Sequence, residues 1–378
     1  MTTFDINKIL KLGRNDKCWC GSDLKFKRCH LDREKQKPIS KGESITSYNN
    51  LMKREKCYVP QEIQSECSKI INSHTVSKSS GLADIADNTN HVLGLKQNFA
   101  TFSRNKGKLK FEKIGINKAS TFKGFCAKHD KTLFSSFEDH PFIGTEEQCF
   151  GLTYRALARE IYAKEAALSH VDFMKQGDKG KTLFYQIDIQ ENIKCYEMGT
   201  KKAIKELSEL KNNLDNIMLK RSYRPLTYLV IESSKPIPIV VSSIVYPMYD
   251  FEGYLIQDLF NLEITPEHLI FNAFCSNGKG FVLFSWLQDN KIIEGFINSL
   301  IKLNSERIFS ALVRFFFSSA ENSFISPEWW HNLSTDQKTK IEELIMFDVG
   351  AFSPMTDNIL ADNRIEFSGW NAEKIYKF

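Results

Sequence analysis

The sequence predicts an α+β protein: a small cysteine-rich N-terminal module joined to a larger body with a mainly antiparallel sheet and several helices. Three observations carry this expectation. Cysteine and histidine crowd into one stretch of the first 31 residues, segments rich in β-branched and aromatic residues cluster between about 225 and 286, and helical apolar spacing flanks that cluster instead of alternating with it. At 378 residues and 42% hydrophobic side chains, the chain has length for two or three folding units and material for a sizeable core. With only 19 Gly and 10 Pro, collagen-like and wholly disordered classes are excluded.

In chain order, residues 1–31 combine a short apolar-periodic stretch (Ile6, Ile9, Leu10, Leu12) with the cysteine group. Residues 32–60 are basic, polar and poor in apolar side chains, and are expected to be a tether or an exposed helix. The body is expected over 61–378, with a possible subdivision near 222, and its polar stretch 74–81 reads as a loop. Thr145, Glu146, Glu147 and Gln148 match a capping box, so a long helix is expected to open there; Phe150, Tyr154, Leu157, Ile161 and Leu168 continue its apolar stripe to about 172. A second helix is expected from about 200 to 220 on the stripe Ile204, Leu207, Leu214, Ile217 and Met218.

Strands are expected at 226–231, 237–246, 269–274 and 280–286. Between the last two, Asn277 and Gly278 tolerate positive φ and predict an antiparallel hairpin. Helical spacing returns at 290–302, 305–318 and 335–347. The aromatic run Phe315, Phe316, Phe317 and the pair Trp329 and Trp330 read as core packing, with a groove or oligomer contact as the sharper alternative.

The longest apolar runs, at 237–241 and 281–284, fall far short of the ~18–20 residues needed to cross a bilayer. The opening residues carry an early acid, Asp5, and no apolar stretch of secretory length. Nine cysteines, an odd number scattered over a long chain, argue against a disulfide framework. A reducing, cytoplasmic setting is therefore expected. Charge is uneven: residues 1–56 hold 14 Lys/Arg against 7 Asp/Glu, so the positive excess of a chain with net charge +5 lies at this end. An acidic partner for that end follows.

The strongest motif runs from Gly13, Arg14, Asn15 and Asp16 through Cys18, Cys20, Gly21 and Ser22 to Lys25, Lys27, Cys29 and His30. Its spacing, Cys-x-Cys-x8-Cys-His, puts four soft or borderline ligands on one short loop, the set a tetrahedral zinc ion takes. Three thiolates and a neutral imidazole around Zn2+ leave one negative charge, which Lys25, Lys27 and Arg28 offset. So short a segment cannot order itself by burial, so the ion would supply its folding free energy. Free thiols are the plain alternative, and a redox pair of Cys18 and Cys20 would leave Cys29 and His30 unexplained. Four protein ligands also leave no open position for a catalytic water.

These residues resemble the SEC-C motif, named for the C-terminal tail of the SecA preprotein-translocase ATPase and appended to many bacterial proteins. The family's prolines are replaced by Lys17 and Trp19, and a usual glycine by Asp23. The resemblance implies zinc held by Cys18, Cys20, Cys29 and His30, and docking to an acidic chaperone or to ribosomes. Lys17, Lys25, Lys27, Arg28, Arg33 and Lys35 are the residues expected to meet an acidic protein or a ribosomal or RNA surface.

Signals in the body are weaker. Cys126 and His129 form half of a zinc-site spacing, with His140 and Cys149 as candidates for the rest; a core cysteine and a hydrogen-bonded loop histidine are the plainer reading. His129, Asp130, Glu138, Asp139 and His140 also offer oxygen and nitrogen ligands to a divalent metal. This segment is expected to be loop-like, with His129 and Asp130 lining a pocket shared with the capping-box helix. Arg155 and Arg159, four apart on that helix, are candidates for gripping an anion or for a salt-bridged face. Gly180, Lys181 and Thr182 end like a P-loop, but Lys175 stands where its first glycine belongs. Two functional classes follow: a zinc-binding adaptor recruiting an acidic or ribosomal partner, and a phage-defence or toxin-like effector, a hydrolase or nuclease, that the module targets.

Overall fold

The computed structural model describes residues 5–51, 53–95, 101, 104–105, 107–259, 261, 263–347 and 356–378. Residues 1–4, on which the expectation about a leader partly rests, lie outside these. The chain divides into two compact units: residues 1–53 with 164–205, and residues 54–163 with 206–378. None of the described helices is long and apolar enough to cross a membrane.

In the first unit, Asp5 caps a short helix, Ile6–Ile9, by accepting from the Asn7 N–H at 2.9 Å. A loop closed by a bridge between Lys17 and Lys25 leads into the 3-10 turn Phe26–Arg28. Within the stretch read as a tether or an exposed helix, residues Lys41–Leu51 form a helix with no buried residue. Ser40 and Glu43 cap it reciprocally: the Glu43 N–H donates to Ser40 Oγ at 3.2 Å and the Ser40 N–H to Glu43 Oε2 at 2.8 Å. Ser47 on this helix meets His170 Nδ1 at 3.2 Å. The unit also takes in the end of helix Glu146–Met174, the 3-10 turn Lys175–Asp178 and the start of helix Leu183–Lys220.

The second unit is built on antiparallel sheets. Its strands are β1 (Ile70–His74), β2 (His91–Leu95), β3 (Phe111–Gly115), β4 (Thr121–Cys126), β5 (Leu226–Ser233), β6 (Ile239–Val245), β7 (Leu269–Ser276), β8 (Lys279–Leu287), β9 (Ser323–Ile325) and β10 (Lys374–Lys377). Eight lie in one sheet, ordered β10-β5-β8-β7-β6-β9-β2-β3, while β1 and β4 form a separate pair. The β7–β8 hairpin turns on Asn277 and Gly278 at φ 51° and 75°, the left-handed pair expected of so tight a loop.

Strands β7 and β8 are buried on both faces, which is why they read as nearly unbroken apolar runs. Phe271, Ala273, Val282 and Phe284 enter a core with helices Lys291–Ile301 and Ser305–Ser319. Ile270, Phe274, Phe281 and Leu283 enter a second core with Phe150, Tyr154 and Leu157 from helix Glu146–Met174. Phe315, Phe316 and Phe317 are buried in the first core, as the plainer reading has it.

The capping box is present: the Gln148 N–H donates to Thr145 Oγ1 at 3.2 Å and the Thr145 N–H to Gln148 Oε1 at 3.4 Å. The segment before it corrects an expectation. Residues Ala127–Glu138 are a helix, with His129, Phe134 and Phe137 buried. Its cap is the sulfur of Cys126, a residue type that gives no capping signal in sequence.

Candidate metal centres

Four ligand atoms converge in the first unit. The Cys18, Cys20 and Cys29 sulfurs and a His30 ring nitrogen lie within 4.8 Å of one another. His30 Nδ1 is 3.2 Å from Cys18 Sγ and 3.1 Å from Cys29 Sγ, and the Cys20 and Cys29 sulfurs are 3.5 Å apart. The backbone delivers them: Cys18 N–H donates to Leu24 O at 2.8 Å, and Phe26 O accepts from Cys29 and His30. Gly21 and Asp23 hold positive φ of 79° and 58° in the loop between. The second value explains a glycine preference at the Asp23 position, where a short polar side chain is the next best tolerated.

The far side of His30 is fixed by a residue that sequence reasoning missed. Its Nε2–H donates to Asp178 Oδ2 at 2.7 Å, so Nδ1 is the ring nitrogen turned to the sulfurs. Asp178 is fully buried and also accepts from Arg33 Nε at 2.7 Å and from Gln190 Nε2 at 2.7 Å. Burial alone would raise this carboxyl, but His30, Arg33 and Gln190 outweigh it and hold it below its ordinary value. Burial also opposes a charged His30 ring, yet Asp178 and the Cys20 thiolate raise its pKa to about 9. Cys20 is held as the thiolate, first by the Cys18 thiol and then, against burial, by His30 and Ser22. The pocket favours positive charge at its centre, and the donor set fits a tetrahedral metal ion.

Gly180 belongs to the same support. Its N–H donates to Arg33 O at 3.1 Å, its φ is 73°, and a Cβ there would stand 2.7 Å from Pro38 Cγ. That close approach accounts for the glycine in the P-loop-like ending without any phosphate.

The second unit gathers a different set from the one expected. Cys126 and His129 do meet as metal-type ligands, but with Cys57 and Cys67. His140 and Cys149 are not part of this group: His140 is exposed, and Cys149 is buried within helix Glu146–Met174, where desolvation pushes its thiol well up. Cys149 faces the apolar core because the helix stripe puts it there.

The remaining candidates are placed as follows. Arg155 is wholly buried, pairs with Glu138, and stacks its guanidinium over the rings of Phe134 and Phe137 at 4.9 and 4.6 Å. Arg159 is only partly buried and pairs with Glu160 at 3.2 Å, so the two arginines do not form one grip. Asp139 pairs with exposed Lys131. Asp130 is half-buried, its carboxyl raised by desolvation against the pull of Ser73 and Arg155. His129 turns its Nδ1 to the sulfurs of Cys126 and Cys67, at 3.2 and 3.5 Å.

In the basic stretch, Lys17 pairs with Asp23 at 2.7 Å and Lys35 with Asp32 at 2.8 Å, all solvent-exposed. Arg33 is committed to Asp178 at 2.6 Å. Lys25, Lys27 and Arg28 are exposed and make no ion pair with any of the described residues.

No curated protein and no solved structure matches the chain. Residues 14–32 match the family model of the SEC-C motif, and that segment, with its four converging ligands, is a SEC-C motif; the rest of the chain has no recognised family.

Proposed function

We propose that this is a zinc-binding interaction protein, in which Zn2+ at Cys18, Cys20, Cys29 and His30 shapes the SEC-C motif so that it presents a basic edge to an acidic protein partner. The closed centre is the observation that carries this reading. Four protein ligands leave no place for a reacting water, so the ion organises a loop, and what that loop turns outward is charge. Lys25, Lys27 and Arg28 form the edge, with Lys17 and Lys35 beside it partly neutralised by Asp23 and Asp32. Arg33 is withdrawn into the support of His30. The effector reading has less to stand on, since Arg155, Asp139 and His129 are all engaged in ion pairs or in the cysteine cluster.

The test is capture of an acidic protein by the intact chain, repeated with the purified pair and with the variant Lys25→Glu, Lys27→Glu, Arg28→Glu. Binding is expected to weaken steeply with salt, because exposed charges are screened over ~8 Å at physiological ionic strength, and to be lost in the variant. Retention of the partner by the variant overturns the reading. Loss of the complex on nuclease treatment overturns it too, and assigns the edge to RNA.

A further inference from the structure

We propose that Cys57, Cys67, Cys126 and His129 form a second, structural metal centre for a zinc-class ion. Strand β4 ends on Cys126, which opens helix Ala127–Glu138, so His129 sits one turn inside that helix. The segment carrying Cys57 pairs with β4: the Lys56 N–H donates to Lys123 O at 3.1 Å and the Tyr58 N–H to Gly124 O at 2.9 Å. Cys67 follows the 3-10 turn Gln61–Glu66 and leads into β1, whose Ile70 pairs with Cys126. The Ala127 N–H to Lys69 O bond, 2.9 Å, and the Lys128 N–H to Ser68 Oγ bond, 3.0 Å, pin that approach. Backbone pairing thus brings three separate segments to one point.

The distances are those of a coordination shell. His129 Nδ1 lies 3.2 Å from Cys126 Sγ, 3.5 Å from Cys67 Sγ and 3.6 Å from Cys57 Sγ, and all four atoms fall within 4.8 Å of one another. Tetrahedral zinc, with bonds of about 2.3 Å to sulfur and about 2.0 Å to nitrogen, gives S···N edges of about 3.5 Å. Two of the three edges agree with that value and the third is slightly short.

The thiols are not disulfide-bonded. Backbone N–H groups point at two sulfurs, Cys126 N–H at Cys57 Sγ (3.4 Å) and His129 N–H at Cys126 Sγ (3.5 Å), which holds those sulfurs in place beside the imidazole. Cys149 and Cys275 are buried too, but neither belongs to such a group of ligand atoms among the described residues, and Cys275 Sγ donates only to a backbone carbonyl, Ile237 O, at 3.5 Å. Cys57, Cys126 and His129 are buried while Cys67 is exposed, which leaves one edge open for an ion to enter. The ion would clamp the Cys57 segment and the Cys67 approach to the start of the helix. With four protein ligands its role is structural.

Elemental analysis of the intact chain, purified under reductant, is expected to find two zinc per molecule, and one in the Cys18→Ser, Cys20→Ser variant. The Cys57→Ser, Cys67→Ser variant is expected to keep one. Should that variant fail to fold, alkylation of the wild type decides: Cys67 is expected to resist the reagent until a chelator is added, while exposed Cys195 reacts throughout. A Cys18→Ser, Cys20→Ser chain without zinc overturns the proposal, and so does Cys67 reacting as fast as Cys195 before chelation. A wild type holding one zinc that this variant retains supports the second centre and overturns zinc at the first.

Discussion

His30 and Asp178 stand 148 residues apart in sequence and 2.7 Å apart in space, joined by a hydrogen bond from Nε2 to a carboxylate that no solvent reaches. The contact decides which nitrogen of His30 faces the three sulfurs. A motif that looks self-contained in sequence therefore depends on a residue beyond the end of helix Glu146–Met174.

The first prediction concerns that contact. Asp178→Asn removes the charge that orients His30 and balances Arg33, and is expected to weaken zinc binding at the SEC-C motif about 10–100-fold. Competition with a chromophoric chelator measures it. An unchanged affinity would show that the motif sets its own geometry.

Gln148 makes a second test. Its side chain accepts from the Ile143 N–H at 2.9 Å and donates to Ser136 O and Pro141 O, both at 2.9 Å, from a buried position. Gln148→Ala leaves those groups unpaired and is expected to cost about 2–4 kcal/mol in urea unfolding. A cost below about 1 kcal/mol would mean that these buried bonds add little.

Phe315 is the ring on which one core converges. It lies 4.6 Å from Phe271, 5.5 Å from Phe296, 6.0 Å from Phe251 and 6.1 Å from Phe284, centroid to centroid. Phe315→Ala is expected to destabilise the protein by about 3–5 kcal/mol, whereas Phe315→Leu keeps most of the volume and should cost less. Equal losses for the two would contradict a packing origin.

His268 supplies a pH test. It packs on Tyr246 at 4.4 Å, and burial lowers its pKa from the ordinary 6.5 to about 4. The unfolded chain therefore takes up a proton between these values that the folded chain refuses. Stability fully present above pH 6.5 should fall as pH drops towards 4. His268→Phe should lose less stability than the wild type between pH 7 and pH 5 in parallel urea titrations, and identical losses would remove His268 as the cause.

Local signals were the ones legible in the sequence. Thr145 and Gln148 announce a helix because both caps lie within one turn, and Asn277 and Gly278 announce a hairpin because tolerance of positive φ belongs to the residue type itself. Cys18, Cys20, Cys29 and His30 are legible for the same reason, since one short loop carries the whole ligand set. The helix Ala127–Glu138 was not, because a cysteine caps it.

Sequence alone determined the α+β class, the strands β5 to β8, the helix opening at Thr145 and the candidate ligands of the SEC-C motif, all set by spacing within a few residues, while helix Leu183–Lys220 opens well before its expected start near 200. Only the tertiary structure decided the partners of those ligands. Cys57 and Cys67 lie 72 and 62 residues from His129, and reach it through pairing of the Cys57 segment and β1 with β4; Asp178 reaches His30 across the fold of the first unit. Backbone hydrogen bonding between strands places side chains by register, a relation that leaves no periodic trace along the chain, so the second cysteine cluster exists only once the sheet has formed.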